Sequence, residues 1–218
     1  MLKNNKIQSY LIDADQKKLG GPELFQFDYK DKNVVDLACG SGHIGWHALY
    51  GSAKHVRFAD AREQSFIAPN DYHNWSWEFI DLNKIEMLTS ILRNQDIIMY
   101  SGHFYHATNH LEILDTIAAS KCKEMYFETK MFHGQDRDDQ NQYGIYWVKE
   151  ETNSLELAWH DTEKSLKVGQ PTFKWVSEEL SKRFTIKDIK VIESSWFNEN
   201  YNLTVYFYKT MVHCLFNN

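Results

Sequence analysis

A parallel β-sheet with helices on both faces is predicted by three observations on this sequence. Short strand-like runs alternate with helix-like segments from residue 33 to residue 130, the pattern of an α/β domain. The first strand-like run, Val34-Val35-Asp36-Leu37, leads through Ala38-Cys39-Gly40-Ser41-Gly42 into His43-Ile44-Gly45-Trp46-His47-Ala48-Leu49. That is a strand, a glycine turn and a helix start. Asp60 ends the next strand-like run, twenty residues after Gly40. An acid at that offset is placed to hydrogen-bond a ribose hydroxyl pair.

The elements follow in chain order. Residues 1–30 read as an N-terminal cap, helical over residues 8–19 and broken by Gly20-Gly21-Pro22. The first strand is expected at residues 34–37 and the first helix at 44–50, stopped by Gly51. The second strand is expected at 55–59 and a helix at 62–68, ended by Pro69-Asn70-Asp71. A third strand at 75–80 precedes a helix at 82–92, for which Asp81 is a good N-cap. The run Asp96-Ile97-Ile98-Met99-Tyr100 is almost wholly apolar, as a buried parallel strand requires. A helix at 111–119 and a fifth strand at 125–127 complete the alternation. Residues 132–171 are polar and read as an irregular insertion over the strand C-termini, where long loops tend to be functional. The tail differs: residues 184–193 and 203–209 are both strand-like with no helix between them, so they can pair as an antiparallel hairpin at a sheet edge.

Length and composition narrow the class. At 218 residues the default is one domain, 1–218. No apolar run approaches the ~20 residues that span a bilayer, and no apolar segment follows Met1-Leu2-Lys3 to make a signal peptide. Cys39, Cys122 and Cys214 are scattered, without metal spacing or a disulfide framework, which points to a reducing cytoplasm. The net charge is −6 and basic residues come only in short pairs such as Lys17-Lys18 and Lys182-Arg183. DNA is therefore not expected as a partner, and RNA is not favoured.

The Gly40-x-Gly42-x-x-Gly45 spacing also marks dinucleotide-binding turns, so the acid within the run matters. A pyrophosphate on a helix N-terminus is drawn by exposed N–H groups and a positive dipole end. A carboxylate four residues before Gly40 would repel it. Asp36 suits instead a cationic ligand, such as one carrying an amino group and a sulfonium. At this point the sequence resembles the class I S-adenosylmethionine-dependent methyltransferases, whose glycine motif reads acid-x-x-x-Gly-x-Gly, here Asp36 through Gly42.

That resemblance implies an α/β, Rossmann-like fold: a seven-stranded, mostly parallel sheet with helices on both faces and an antiparallel last strand. It implies S-adenosyl-L-methionine as cofactor. Ligands of open α/β sheets lie beyond the strand carboxyl ends, so the site residues are those that follow each strand. Asp36, Ala38, Gly40, Ser41 and Gly42 would face the methionine part, and Asp60 would take the ribose hydroxyls. Asp81 would take the adenine amino group, Ile80, Leu82 and Ala61 would wall the ring, and Ser101 would close the pocket after the fourth strand. The run Gly102-His103-Phe104-Tyr105-His106, with Glu128-Thr129 after the fifth strand and Gln170-Pro171-Thr172-Phe173-Lys174-Trp175 further on, resembles the wobble-uridine tRNA methyltransferase-like branch. Two departures favour the ordinary methyl donor and a smaller acceptor: no arginine accompanies Glu199-Asn200-Tyr201, and the long substrate-binding N-terminal region of the tRNA enzymes is not present.

Methyl transfer from a sulfonium needs chiefly a positioned acceptor, and a hydroxyl or amine acceptor also needs a base. His106 is the first candidate and His103 the second, because histidine titrates near neutrality. Tyr105 is placed to orient cofactor or acceptor. His43 and His47 have the i, i+4 spacing of some zinc sites, but no acidic ligand accompanies them and no metal is expected. Trp46, Trp147, Trp159, Trp175 and Trp196 either line an acceptor pocket or fill the core. Glu128 and Lys130 are candidate acceptor contacts.

The expected function is methyl transfer to an O or N atom of a small molecule or modified nucleoside. A tRNA methyltransferase, a non-catalytic S-adenosylmethionine-binding protein and a dinucleotide oxidoreductase are the rivals. The sequence leaves the acceptor and the oligomeric state open.

Overall fold

The structure, a computed structural model, describes residues 27–130, 143–151, 165–195 and 206–215. The expected N-terminal helix, Trp159, Trp196 and the run at 199–201 lie outside the described residues.

Five strands form a parallel sheet: β1 (Asn33–Leu37), β2 (His55–Asp60), β3 (Trp75–Phe79), β4 (Ile97–Ser101) and β5 (Glu124–Lys130), in the order β3-β2-β1-β4-β5. The α/β class expected from the alternation is observed. Four α-helices are described: α1 (His43–Tyr50), α2 (Ile85–Ile91), α3 (His110–Ala118) and α4 (Phe173–Arg183). An antiparallel ribbon of β6 (Ile145–Glu151) and β7 (Ser165–Pro171) precedes α4. Two later strands, β8 (Thr185–Ser195) and β9 (Tyr206–Leu215), continue the sheet beyond β5, with β9 antiparallel to both β5 and β8.

The period of two along each strand explains the layers. In β1, Val35 and Leu37 join Ile98 and Tyr100 of β4, and Met125 and Phe127 of β5, in one core cluster with Leu88, Leu114 and Val176 from α2, α3 and α4. Val34 points the other way, with Val56, Phe58, Ile97 and Met99, against Trp46, Ala48 and Leu49 of α1. The central strands are thus apolar on both faces, and helices cover both. Each fully buried valine, isoleucine or leucine contributes about 1.5–3 kcal/mol. Trp46 and Trp175 are core residues, whereas Trp147 is 53% exposed.

Three expected elements need correction. The helix at 62–68 reduces to a single 3-10 turn, Glu63–Ser65. Phe66 leaves it in an extended conformation and stacks obliquely on Phe58 and Trp75, at ring centroids of 5.0 and 5.5 Å. Tertiary burial of one aromatic ring overrides local helix preference. The helix at 82–92 begins only at Ile85. Asp81 does not cap it: its Oδ1 accepts from Asn83 N at 3.0 Å, and its carbonyl accepts from Lys84 N at 2.9 Å, which makes a turn. The stretch 132–171 is not irregular throughout, because 145–151 and 165–171 are the two strands of the ribbon.

His110 fastens that ribbon to the sheet. Its Nε2 lies 2.8 Å from the carbonyl of Gly169 in β7, and Gly169 N donates to Ala107 O at 3.4 Å. Phe104, Trp147 and Trp175 surround the ring edge-to-face or tilted. Tyr143 and Arg183 both donate to Glu179, and Arg183 also reaches Asp115, joining the ribbon to α4 and α3.

Gly169 has no side chain where His110 sits: a Cβ there would lie 2.5 Å from His110 Cε1 and 2.8 Å from Ile145 Cγ2. Gly169→Ala is expected to cost about 1–3 kcal/mol. The loss should appear as a lower Tm together with faster amide exchange across 143–147 and 165–171. Unchanged Tm and exchange would contradict this packing.

Candidate functional site

The chain runs β1, β2, β3 toward one edge, then crosses back to place β4 on the other side of β1. Strand order therefore reverses between β1 and β4, the crevice where open α/β sheets bind ligands. β1 and β4 run in register, Asp36 beside Met99 and Leu37 beside Tyr100. The glycine turn after β1 and the Ser101-Gly102 turn after β4 consequently leave the sheet side by side.

The glycine turn is wound through left-handed backbone. Ala38, Gly40 and Gly42 have φ of 54°, 51° and 85°. Glycine adopts this region freely, whereas Ala38 pays about 1–2 kcal/mol for it. Gly42 N donates to Cys39 O at 2.7 Å, closing the turn, and Trp46 N donates to Gly42 O at 3.1 Å, opening α1. Ser41 Oγ lies 2.9 Å from His43 Nδ1.

Two carboxylates hold the turn from beneath. Asp36, 1% exposed, accepts from Gly45 N in the first turn of α1 at 2.8 Å. Gly45 is glycine for this reason: a Cβ there would stand 2.9 Å from Asp36 Oδ2 and 2.4 Å from Phe58 Cε1. One of the free N–H groups at the helix N-terminus is thus already taken by a carboxyl group of the protein's own. Asp60, whose side chain is 0% exposed, accepts from Gly40 N at 2.8 Å through Oδ2 and from Arg62 N at 2.8 Å through Oδ1. Arg62 Nε stands 3.5 Å from the same Oδ1.

Burial pushes the Asp36 carboxyl up to about 8; the Gly45 N–H works against this shift and the Asp60 charge adds to it. Cys39 and Tyr29 are also driven up, each first by burial and then by Asp36. His47 is pushed down to about 4 by burial, with His43 adding to the effect, so it is neutral at pH 7.

At the end of β3, Asp81 sits in its turn with Lys84 Nζ 3.8 Å from Oδ2. Ile80 and Leu82 are buried in the core, and Ala61 is half-buried. After β4, Ser101 is half-buried and Tyr100 Oη hydrogen-bonds His103 Nδ1 at 2.9 Å. His103 is buried, whereas Tyr105 and His106 are half-buried, with rings 4.0 Å apart. Glu128 is buried at the end of β5, accepts from Tyr126 Oη at 2.8 Å, and its carbonyl accepts from Gly102 N at 3.3 Å. Lys130 closes β5. Among the described residues no group of three or more histidine, cysteine or acidic side chains is placed to hold a metal ion, and no helix is long and apolar enough to cross a membrane.

The turn residues and both buried acids come together at the switch point. Arg62 and Gly45 were given no role by sequence reasoning. A cation two residues after a strand-ending acid is the only signal for Arg62, and Gly45 shows its role only once Phe58 and Asp36 are in place.

The Asp36 shift has a signed consequence. The folded state prefers the neutral carboxyl, so stability is full below the usual carboxylate range and is lost as pH rises to about 8. Asp36→Asn keeps an oxygen for Gly45 N and removes the charge. The variant should lose less Tm than the wild type on going from about pH 5 to about pH 9. Equal losses would contradict a buried, raised Asp36.

No protein-family model and no curated protein matches this sequence. Solved structures do match. A putative S-adenosylmethionine-dependent methyltransferase from Listeria monocytogenes aligns over 90% of this chain and 97% of its own, at 17% identity and TM-score 0.60. The N-terminal domain of EvdMO1 with SAH bound aligns over 100% and 98%, at 14% identity and TM-score 0.62. The putative methyltransferase structure determined as a complex with the Trm112 activator of Haloferax volcanii aligns over 99% and 95%, at 11% identity and TM-score 0.58. The chain has the α/β Rossmann-like fold of the S-adenosylmethionine-dependent methyltransferases.

Proposed function

We propose that this chain is a single-domain S-adenosylmethionine-dependent methyltransferase acting on an O or N atom of a small molecule or modified nucleoside. The observation that carries the proposal is the pair of buried acids under the glycine turn, Asp36 and Asp60, at the switch point of the sheet. With Asp36 already bonded to Gly45 N, a pyrophosphate finds that N–H occupied where a dinucleotide enzyme offers free N–H groups. A sulfonium or ammonium beside Asp36 would instead favour its ionised form. The same features fit S-adenosylmethionine, which supplies an activated methyl group for in-line displacement.

The residues then divide the work. Ala38, Gly40, Ser41 and Gly42, over Asp36, border the methionine part. Asp60 serves the ribose. Asp81, with Ala61, Ile80 and Leu82, serves the adenine, and Ser101 borders the cofactor from β4. Tyr105 orients the acceptor, and His106, half-buried on the turn after β4, takes the acceptor's proton as attack proceeds. His103, held by Tyr100, is the second candidate and supports the turn from within. The β6–β7 ribbon, docked on that turn through His110, would shape the acceptor side. The wobble-uridine tRNA-like branch rests on Gly102, Tyr105, His106 and Glu128-Thr129. With a net charge of −6, a small acceptor is preferred to a whole tRNA. A reducing cytoplasm suits the free, buried Cys39 and Cys122.

Calorimetric titration tests the cofactor. The wild type should bind S-adenosylmethionine and S-adenosylhomocysteine but not NAD, and Asp60→Ala should bind neither methionine derivative measurably. Binding of NAD alone, or of none of the three to folded protein, would overturn the proposal. Once an acceptor is found, His106→Gln should lower kcat by about 10²–10⁴-fold while leaving S-adenosylhomocysteine affinity unchanged. An unaltered kcat would remove His106 as the base.

A further inference from the structure

We infer that Asn83 is a positioning residue for the acceptor side: it ties the segment that carries Tyr105 and His106 to the turn that carries Asp81, so that a ligand bound at Asp81 steadies the acceptor turn. The inference rests on the assignment of Asp81 to the adenine and goes beyond it by naming the residue that joins the two sides.

Asn83 bonds in both directions. Its backbone N donates to Asp81 Oδ1 at 3.0 Å. Its side-chain Oδ1 accepts from Thr108 N at 3.3 Å and from Thr108 Oγ1 at 3.1 Å, two residues beyond His106. Its carbonyl accepts from Asn109 Nδ2 at 3.2 Å. These bonds cross from the end of β3 to the segment after β4, over 25 or 26 positions of chain.

The segment needs such partners because its backbone leaves the local hydrogen-bonding pattern. Phe104–His106 is a single 3-10 turn, and Ala107 departs from it extended, at φ −70° and ψ 155°. Inside the turn, His106 N donates to His103 O and Ala107 N to Phe104 O. Thr108 N is the next donor along the chain, and Asn83 receives it. Ala107 O accepts from Gly169 N at 3.4 Å. The connector into α3 is thus held by the ribbon through Ala107 and by Asn83 through Thr108 and Asn109.

Asn109 shows that this attachment outranks local helix stability. Asparagine is a preferred N-cap, and Asn109 is the N-cap of α3, yet its side chain makes no capping bond. Nδ2 is turned to Asn83 O, and Oδ1 is buried without a hydrogen-bond partner. Both features are unfavourable for the helix alone. Thr108, in contrast, is exposed. Water can replace Asn83 at its N–H and hydroxyl, so the tie contributes position rather than much stability. Position is what a base two residues away requires, since small misplacements around a reacting centre cost rate.

The test is amide exchange of the full chain, Asn83→Ala and Asn83→Asp, each with and without S-adenosylhomocysteine. The aspartate variant keeps an acceptor oxygen for Thr108, and the alanine variant does not. All three should bind the ligand, because the backbone N of residue 83 holds Asp81 in each. Asn83→Ala should lower Tm by no more than about 4 °C. In the wild type and Asn83→Asp, the ligand should slow exchange at both 80–84 and 104–110. In Asn83→Ala it should slow 80–84 alone, with 104–110 exchanging about five- to thirtyfold faster than in the wild type. A merely structural role would speed exchange in both segments alike, with no selective loss of the ligand's effect. If the ligand slows 104–110 equally in Asn83→Ala, or does not slow it in the wild type, or if Asn83→Asp fails to restore the effect, the inference fails while the cofactor assignment stands. If the wild type does not bind, the cofactor assignment fails and takes this inference with it.

Discussion

The bond from Gly45 N to the buried Asp36 carboxylate is the contact on which the site depends. It links the end of β1 to the first turn of α1, and so sets the path of the five residues between them. Three consequences follow from that short path. Ala38, Gly40 and Gly42 must adopt left-handed backbone. Position 45 must lack a side chain, because Asp36 and Phe58 occupy the space. An N–H at the positive end of α1 is occupied from inside the protein, which removes a donor that a phosphate would otherwise find there.

Asp60 supports the same turn from the neighbouring strand. The two acids sit on parallel, adjacent strands, with Asp36 beside Phe58 in register, and each receives a backbone N–H from the glycine turn or the helix it opens. Placing two carboxylates in a buried region is unfavourable by itself, and the raised Asp36 reflects that. The unfavourable charge becomes useful when a cation arrives. Arg62 meets part of this need for Asp60, and a sulfonium-bearing ligand would meet it for Asp36. On the far side of the switch point, His110 and Gly169 hold the β6–β7 ribbon against the turn that carries Tyr105 and His106. The two halves of the site are thus fixed by separate devices, one electrostatic and one steric.

Much of the framework could be read from the sequence, for identifiable physical reasons. The central strands β1 and β4 are buried on both faces, so they stand out without any partner being known. Asp36, Gly40, Gly42 and Asp60 follow from local spacing, since strand, turn and helix are contiguous in the chain. What the sequence hid depends on contacts between distant residues. Residues 62–68 look helical, but Phe66 turns in to meet Phe58 and Trp75. Asp81 has the chemistry of a helix cap and makes a turn instead. The β6–β7 ribbon was obscured by the polar run at residues 136–142 that precedes Ile145-Tyr146-Trp147-Val148, and its docking residue, Gly169, is explained only by His110, 59 positions earlier. Arg62 acquires a role only through the burial of Asp60.

The most direct test of the buried-acid account is the ratio of S-adenosylmethionine to S-adenosylhomocysteine affinity as a function of pH. The two ligands differ at the sulfur, cationic in one and neutral in the other. If Asp36 ionises near pH 8 beneath the glycine turn, the ratio should shift toward the cationic ligand as pH rises from about 6 to about 9, and Asp36→Asn should abolish the shift. A ratio that is independent of pH in the wild type, or that changes identically in the variant, would contradict the account.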